Sequence, residues 1–269
     1  MNIKKGDISI LVCSCDKYED LWNPMFEMFF KFWEDCPLNI YLMTNNKKYN
    51  HEKVISIKTG DDVSWSRAFR KALNNIQSEY VFIIMEDYLL KNKVNIDEFL
   101  GLVEYMRKEN AVCIRTMPSL YANEQLYGKY GDYRVGLVSK DDPYRISLQA
   151  GIWKKEYIMS IIDDKDSAWE FEHLGSKRSA RDNSKILCTL DKDKIIFDYY
   201  CTGVIQGYWI QEAVDLCKEH GVTVDLEKRS IESKKVRMKR LFSERYFLRT
   251  KNFLKKTFIY DIYIEKKFG

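Results

Sequence analysis

The sequence predicts an α/β protein whose mostly parallel central sheet is flanked by helices. Strand-length apolar segments alternate with helix-period segments over the first 90 residues, in the order strand, helix, strand, strand, helix, strand. The last of these strands, Tyr80–Met85, is apolar along its whole length and rich in β-branched and aromatic residues. Such a segment is typical of a strand buried on both faces, which belongs in a parallel sheet.

The elements of the first half are predicted from their apolar spacing. The clearest is a helix over residues 64–76, where apolar side chains recur at i, i+3, i+4, i+7, i+8 and i+11 and Ser64 or Asp62 supplies the N-cap. The other predicted elements are strands at 8–13, 39–43, 54–57 and 111–115 and helices at about 21–33 and 96–108.

The second half of the chain predicts shorter and less regular elements. Residues 118–142, which are rich in Tyr, Gly and charge, predict loops or a small hairpin over the top of the sheet. The other predicted elements are strands at 144–153, 186–190 and 194–199 and helices at 155–162, 166–175 and 207–217. Gly151 is expected to bend the first of these strands.

Composition indicates one large domain with reduced cysteines. The chain has 269 residues, and its seven cysteines, an odd number, lie mostly in apolar segments. The N-terminus has no apolar stretch of the signal-peptide kind, so we expect buried, reduced thiols in the cytoplasm. Cys13 and Cys15 have no matching second pair, which argues against zinc. No apolar run reaches 18 residues, so no transmembrane helix is expected.

Charge is distributed unevenly along the chain. From Lys234 to Gly269 there are twelve basic and three acidic residues, whereas the rest of the chain has 32 basic and 37 acidic residues. Aromatic and aliphatic residues interleave with the basic ones over residues 234–260, which predicts an amphipathic helix on an anionic membrane surface. The alternative is a helix that packs on the body or on a second subunit. Nucleic acid is not expected as a partner, because the body is acidic.

Four segments hold polar side chains suited to binding or catalysis. They are the loop at 14–20 after the first strand, the start of the 64–76 helix from Asp61 to Arg67, the acid pair Glu86–Asp87, and residues 169–172. The acid pair directly follows the buried strand, at the carboxyl end where α/β sheets bind ligands. Two acids there can hold a divalent cation, and the cation can hold a diphosphate. The alternative is an acid pair that caps a loop and faces water.

The order of these segments resembles the GT-A fold of nucleotide-sugar-dependent glycosyltransferases, in particular the small bacterial enzymes that build capsule or lipopolysaccharide chains. The matching residues are 8–13 with the polar loop, 65–68 (Trp-Ser-Arg-Ala), 85–88 (Met-Glu-Asp-Tyr), 147–153 (Ser-Leu-Gln-Ala-Gly-Ile-Trp) and 169–172 (Trp-Glu-Phe-Glu). The match, one of pattern and order, covers roughly residues 7–210. It implies a GT-A-like (Rossmann-like) catalytic domain over 1–230, with a nucleotide-binding half at 1–117 and an acceptor-binding half at 118–230, and a basic extension at 231–269.

The resemblance implies a donor site at the end of the buried strand. The acids there resemble the Asp-x-Asp element, which binds a metal and the sugar diphosphate; Asp87 stands at its last position, but Met85 stands at its first. A divalent metal, Mn²⁺ or Mg²⁺, is implied at Asp87, with Glu86 compensating for the lost acid. Lysine or arginine could neutralise the phosphates instead. The other implied donor-binding residues are Ser14, Asp16, Asp62 and Arg67.

Residues 169–172 resemble the late acidic element that supplies a general base in inverting members. Glu170 and Glu172 are two positions apart, so on a helix they point in different directions, and we favour Glu170 as the base. The alternative is that both lie on a solvated helix face. The implied acceptor-binding residues are Gln149, Trp153 and Trp169. Gln149 would bind sugar hydroxyls, and Trp153 would stack on a sugar or simply pack.

The sequence therefore predicts a cytoplasmic, membrane-peripheral glycosyltransferase. It would move a sugar, with inversion, from a nucleotide sugar (a UDP-sugar is expected) to a hydroxyl of a glycan or lipid-linked saccharide. One alternative is a non-catalytic sugar- or nucleotide-binding module. Another is a sugar nucleotidyltransferase, although that class usually has a glycine-rich loop after the first strand and residues 14–20 contain no glycine. Neither G-x-x-x-x-G-K-[ST] nor G-x-G-x-x-G occurs, which disfavours ordinary kinases and dinucleotide enzymes.

Overall fold

The protein was analysed as a computed structural model that describes residues 4–61, 64–118, 124–238 and 240. Its strands are β1 Ile8–Cys13, β2 Asn39–Thr44, β3 Val54–Lys58, β4 Tyr80–Met85, β5 Leu89–Leu90, β6 Ala111–Arg115, β7 Glu124–Tyr130, β8 Tyr133–Val138, β9 Gly151–Lys154, β10 Lys185–Thr189, β11 Tyr199–Tyr200, β12 Val204–Ile205 and β13 Tyr208–Trp209. Its α-helices are α1 Glu19–Phe32, α2 Trp65–Asn74, α3 Ile96–Lys108, α4 Lys155–Ile161, α5 Ala168–Ser179 and α6 Gln211–Glu219.

One nine-stranded sheet in the order β3-β2-β1-β4-β9-β6-β10-β8-β7 spans both halves of the chain. Strands β1 to β4 are mutually parallel, and β6 is parallel to β10. Strand β9 runs antiparallel between β4 and β6, and β8 runs antiparallel between β10 and β7. All strands of this sheet except β8 and β9 therefore point the same way, which confirms the predicted mostly parallel α/β fold.

Helices cover both faces of the sheet because its strands are apolar on both sides. From β1, Ile10 packs on one face with α1 and α3, whereas Leu11 packs on the other face with α2, α4 and α5. Phe69 of α2 and Phe171 of α5 meet there, with ring centroids 6.0 Å apart. Helix α6 packs separately, against α1 and β5. The carboxyl edge of β1, β2 and β4 is left as the place where loops and helix ends converge.

Four predicted elements differ from the structure. The strand predicted at 194–199 is limited to Tyr199–Tyr200, and residues 124–138 form the hairpin β7–β8, which extends the central sheet and does not lie over its top. Residues 144–153 were expected to form one strand, but only Gly151–Lys154 does. The preceding carbonyls accept from side chains instead: Nη2 of Arg115 donates to the carbonyls of Tyr144 (2.5 Å) and Arg145 (2.6 Å). Helix α6 begins at Gln211, not at 207, because residues 204–209 form the short hairpin β12–β13.

Most of the basic extension at 231–269 lies outside the described residues. Within its described part, Arg237 bonds Glu212 at 3.3 Å and Arg240 bonds Glu232 at 2.7 Å and 3.0 Å. The predicted amphipathic helix over 234–260 therefore stays a prediction. In the part of the chain that the structure describes, no helix combines the length and apolar character needed to cross a membrane.

Candidate functional site

A cavity of about 350 Å³ lies at the carboxyl ends of β1, β2 and β4. Four parts of the chain line it: the strand ends and the loop after β1, the acid pair after β4, the N-terminal turns of α2 and α5, and the β12–β13 hairpin. The lining residues are Cys13, Ser14, Cys15, Tyr18, Leu21, Met43, Trp65, Ala68, Met85, Glu86, Asp87, Ala168, Trp169, Val204, Gln206 and Gly207. The structure thus brings together Ser14, Glu86, Asp87 and Trp169 from the predicted site.

Glu86 is a buried acid with an unused oxygen. Its side chain lines the cavity, yet the residue is only 7% exposed. Its Oε2 atom has no hydrogen-bond partner among the described residues. Burial raises the pKa of Glu86 well above its usual range, and the neighbouring charge of Asp87 raises it further. A ligand that donates a hydrogen bond or carries positive charge would satisfy this carboxyl.

Asp87 is held in place by the β12–β13 hairpin. Its Oδ2 atom accepts the backbone N–H of Val204 at 3.1 Å, and its carbonyl accepts the N–H of Gly203 at 3.0 Å. Just before them, Thr202 has φ of 74°, a left-handed conformation that is strained for a β-branched residue. Burial raises the pKa of Asp87, and the N–H of Val204 partly offsets this. Asp87 is therefore oriented before any ligand arrives.

One guanidinium joins the two sides of the cavity. Arg229 pairs with Asp20 through two bonds of 2.7 Å and 2.9 Å, and both side chains are largely buried. The same group donates to the carbonyls of Gly207 (3.1 Å) and Lys17 (3.3 Å) and lies 4.8 Å from the ring centroid of Tyr18. The loop after β1 and the hairpin are thereby tied together. The sequence reasoning missed this contact, because Asp20 and Arg229 are 209 positions apart.

The N-termini of α2 and α5 lie side by side at the cavity. Ser64 caps α2 and Ser167 caps α5, through bonds to the backbone N–H groups of Arg67 (3.1 Å) and Glu170 (3.3 Å). The backbone N–H of Ser66 donates to the carbonyl of Asp166 at 3.1 Å, so the first turn of α2 is bonded to the residue before the cap of α5. Residues from the first turns of both helices therefore line the same cavity.

Two other predicted donor-binding residues, Asp16 and Arg67, lie outside the cavity lining. The Asp16 carboxylate accepts the backbone N–H groups of Asn45 (2.9 Å), Asn46 (3.0 Å) and Lys47 (3.1 Å), so it joins the loops after β1 and β2. Arg67 is exposed on α2 and does not line the cavity. Asp62 lies outside the described residues.

The two predicted general bases also lie outside the cavity lining. The Glu170 carboxylate accepts the N–H of Ser167 at 2.7 Å and completes the N-terminal capping box of α5, which lowers its pKa. The Glu172 carboxylate accepts the N–H of Leu148 at 2.7 Å and the hydroxyl of Ser147 at 3.2 Å. Burial raises the pKa of Glu172 despite these bonds, so it has the greater affinity for a proton.

The predicted acceptor residues are divided between surface and core. Trp169 is 67% exposed at the cavity, as acceptor binding requires. Trp153 is corrected to a core residue: it is 1% exposed and packs with α2, α4 and α5. It cannot stack on a sugar there, because the alternate side chains of β9 face opposite sides of a covered sheet. Gln149 is half-buried outside the cavity, and its Oε1 has no partner among the described residues.

Glu86 and Asp87 fit a divalent cation that is shared with a ligand. The described residues contain no group of three or more His, Cys, Asp or Glu side chains that could hold a metal alone. Mg²⁺, however, is commonly bound by one or two carboxylates together with substrate phosphates. The adjacent carboxylates of Glu86 and Asp87, both in the cavity lining, suit coordination that a ligand's phosphates complete.

Comparison with known proteins shows the fold. No family model matches the chain, and no curated protein matches it. UTP-bound UGPase from Acinetobacter baumannii aligns with a TM-score of 0.50 at 10% identity, over 88% of this chain and 99% of that one. UDP-glucose pyrophosphorylase complexed with UDP-glucose gives 0.49 at 8% identity, over 80% and 98%. S. aureus TarS 1–349 gives 0.47 at 13% identity, over 73% and 60%. At these identities the likeness concerns the fold, and the chain shares the α/β architecture of the UTP-bound UGPase.

Proposed function

We propose that this protein is a glycosyltransferase that takes a sugar from a nucleotide sugar and passes it to a hydroxyl of a glycan or lipid-linked saccharide. The observation that carries the proposal is the cavity at the ends of β1, β2 and β4, which buried Glu86, the fixed Asp87 and exposed Trp169 line together. Acids at strand ends with an aromatic wall suit an activated sugar better than an apolar ligand. A UDP-sugar is the expected donor.

Each wall of the cavity has a distinct role in this proposal. Asp87 and Glu86 would hold a divalent cation, Mn²⁺ or Mg²⁺, and the cation would stabilise the charge on the departing diphosphate. Tyr18, Trp65 and Trp169 offer rings for a base or a sugar face. Because Asp87 is already bonded to the hairpin, little reorganisation is needed when the ligand binds.

For the general base, the surroundings favour Glu172 over Glu170. Glu170 uses its carboxylate to cap α5, whereas Glu172 is half-buried and has a raised pKa. A base with a raised pKa is better matched to proton transfer near neutral pH. Glu172 would take the proton of the acceptor hydroxyl as that hydroxyl attacks the anomeric carbon, and the nucleoside diphosphate would leave with the bonding electrons. Inversion at the anomeric carbon follows from this single displacement.

The second candidate is a sugar nucleotidyltransferase. It is favoured by one observation, the shared fold with a UGPase that binds UTP. A nucleotidyltransferase joins a nucleoside triphosphate to a sugar phosphate and releases pyrophosphate. It should therefore bind a nucleoside triphosphate as substrate, which a glycosyltransferase does not. The loop at 14–20, which has no glycine, disfavours it.

A thermal-shift panel separates the two candidates. UDP-, GDP-, CMP- and dTDP-sugars, UTP and UDP are each measured with and without Mn²⁺. A ligand at 100 times its dissociation constant stabilises the folded state by about 2.7 kcal/mol. A glycosyltransferase responds to one nucleotide sugar and its diphosphate, and incubation with acceptor saccharides then releases that diphosphate. Pyrophosphate release from UTP and a sugar phosphate would establish the second candidate. A shift without any turnover would indicate a binding module.

The wider setting is also a proposal. A basic extension at 231–269 that lies on an anionic membrane would bring the cavity to lipid-linked acceptors of surface-polysaccharide synthesis, on the inner face of the cell membrane. The catalytic unit would be residues 1–230, with donor contacts mainly from residues 1–117. Sedimentation with vesicles containing anionic lipid, compared with neutral vesicles, tests the membrane part.

A further inference from the structure

The cavity has no cationic side chain in its described lining, although residues near the N-termini of two helices line it. None of the described lining residues is a lysine, arginine or histidine. Instead, Trp65 and Ala68 come from the first turn of α2 or just after it, and Ala168 and Trp169 are the first two residues of α5. First-turn N–H groups point out of a helix, and the N-terminus carries partial positive charge.

Part of this donor set is unused. The serine caps occupy the N–H groups of Arg67 and Glu170, and the N–H of Ser66 in α2 donates to the carbonyl of Asp166. The backbone N–H groups of Ala168 and Trp169 have no acceptor among the described residues. They lie on a rigid support, since Arg70 of α2 bonds Asp164 (2.6 Å) and the carbonyl of Ile162 (2.8 Å) in the segment before α5.

Glu86 is the second, independent sign of a ligand at this place. It is 7% exposed, lines the same cavity, and has an oxygen without a partner among the described residues. Acids and helix N-termini in one cavity fit a ligand that presents both signs of charge. A diphosphate with a bound divalent cation has this character, because its outer oxygens stay anionic while the cation faces the carboxylates.

We propose that the N-terminus of α5 binds the phosphate groups of the ligand, through the free backbone N–H groups of Ala168 and Trp169. This inference rests on the proposed function, since it assigns the phosphates of the same nucleotide ligand. It departs from the expectation that lysine or arginine neutralises them. Ala168 and Trp169 thereby become phosphate-binding positions through their backbone, whatever their side chains do.

Ala168→Pro tests the proposal, because proline at the first helical position removes one N–H and keeps the helix. Ser167 before it is extended, with φ of −70° and ψ of 170°, which a following proline requires. Binding of UDP, uridine and pyrophosphate is measured calorimetrically with Mg²⁺ present. We expect affinity for UDP and pyrophosphate to fall roughly 10-fold or more, because a charge-assisted hydrogen bond is lost, while affinity for uridine is unchanged.

A matched control and a second variant make the result decisive. Gln211→Pro places the same residue at the first position of α6, outside the cavity lining, and should leave all three affinities unchanged. Ala168→Asp should stabilise the N-terminus of α5, but it puts a carboxylate where the phosphate would lie. It should therefore also lower the affinity for UDP and leave the affinity for uridine unchanged. If both Ala168 variants fold and bind UDP as the wild type does, this inference is overturned and the proposed function stands. A wild type that binds no nucleotide or nucleotide sugar would overturn both.

Discussion

Two pairs of acids stand out in this sequence, and the structure places them in opposite surroundings. Glu86 and Asp87 follow a buried strand and line a cavity, where one oxygen of Glu86 has no partner among the described residues. Glu170 and Glu172 lie on α5, where each carboxylate accepts a backbone N–H at 2.7 Å. The first pair has hydrogen-bonding capacity left for a ligand, whereas much of the capacity of the second is spent on the fold.

Burial alone does not distinguish the two pairs. Glu86 and Glu172 both have a raised pKa, in each case chiefly because burial disfavours the charged form. What separates them is bonding: Glu172 fixes Leu148 and Ser147 of the segment that leads into β9, and Glu86 fixes nothing through Oε2. The predictions below test this contrast, in order of expected effect.

The largest effect is expected at Asp87. Asp87→Ala removes a carboxylate that the hairpin holds in position, so a cation and the diphosphate lose a fixed ligand. If a preorganised electrostatic contact is lost, kcat/KM should fall roughly 100- to 1000-fold. Steady-state transfer assays check this, with exposed Glu52→Gln as the matched acid control. If kcat/KM of the variant stays within threefold of the wild-type value, the assignment of Asp87 to the donor site is wrong.

Glu172→Ala should lower the free energy of unfolding. It leaves the Leu148 N–H and the Ser147 hydroxyl without their acceptor, and an unsatisfied buried donor costs about 1–3 kcal/mol. Glu172→Gln keeps an amide oxygen that can accept from the Leu148 N–H, so its free energy of unfolding should fall less. Denaturant titration measures both losses. Kinetics then separate the roles: a general base predicts that Glu172→Gln binds donor normally but transfers very slowly. Normal transfer by a folded Glu172→Gln would limit Glu172 to positioning the segment before β9.

The strands and the acid pair were predictable from sequence because both depend on local pattern. Apolar runs identify buried strands, and the residues just after such a strand lie at the edge of the sheet, as Glu86 and Asp87 do. Arg229 and Asp20 were not predictable, because a contact over 209 positions leaves no local signal. Trp153 and Trp169 show the same limit: both lie in segments that resemble glycosyltransferase elements, and only the packing decides that Trp153 is buried and Trp169 is exposed.

Glu86→Gln should stabilise the protein at neutral and alkaline pH while weakening donor binding. The folded-state pKa of Glu86 is raised above the unfolded value of about 4.3, so between the two values the folded protein binds more protons than the unfolded chain. By linkage, the free energy of unfolding then falls as pH rises through this window, by up to about 1.4 kcal/mol per pH unit. Glu86→Gln should flatten that slope, as measured by denaturant titrations from pH 5 to pH 8. An unchanged slope would mean that Glu86 does not carry this proton.

The smallest effect is expected at Glu170, and it tests the assignment that the sequence favoured. Glu170→Ala removes the acceptor of the Ser167 N–H and one acid from the first turn of α5, which together are worth about 0.5–1 kcal/mol of stability. Glu170→Gln can restore the capping box, because glutamine also accepts from the N-cap N–H. If Glu170 only caps α5, Glu170→Gln should transfer sugar at the wild-type rate. A Glu170→Gln variant with wild-type stability and donor affinity but negligible transfer would instead restore Glu170 as the general base, despite its position outside the cavity lining.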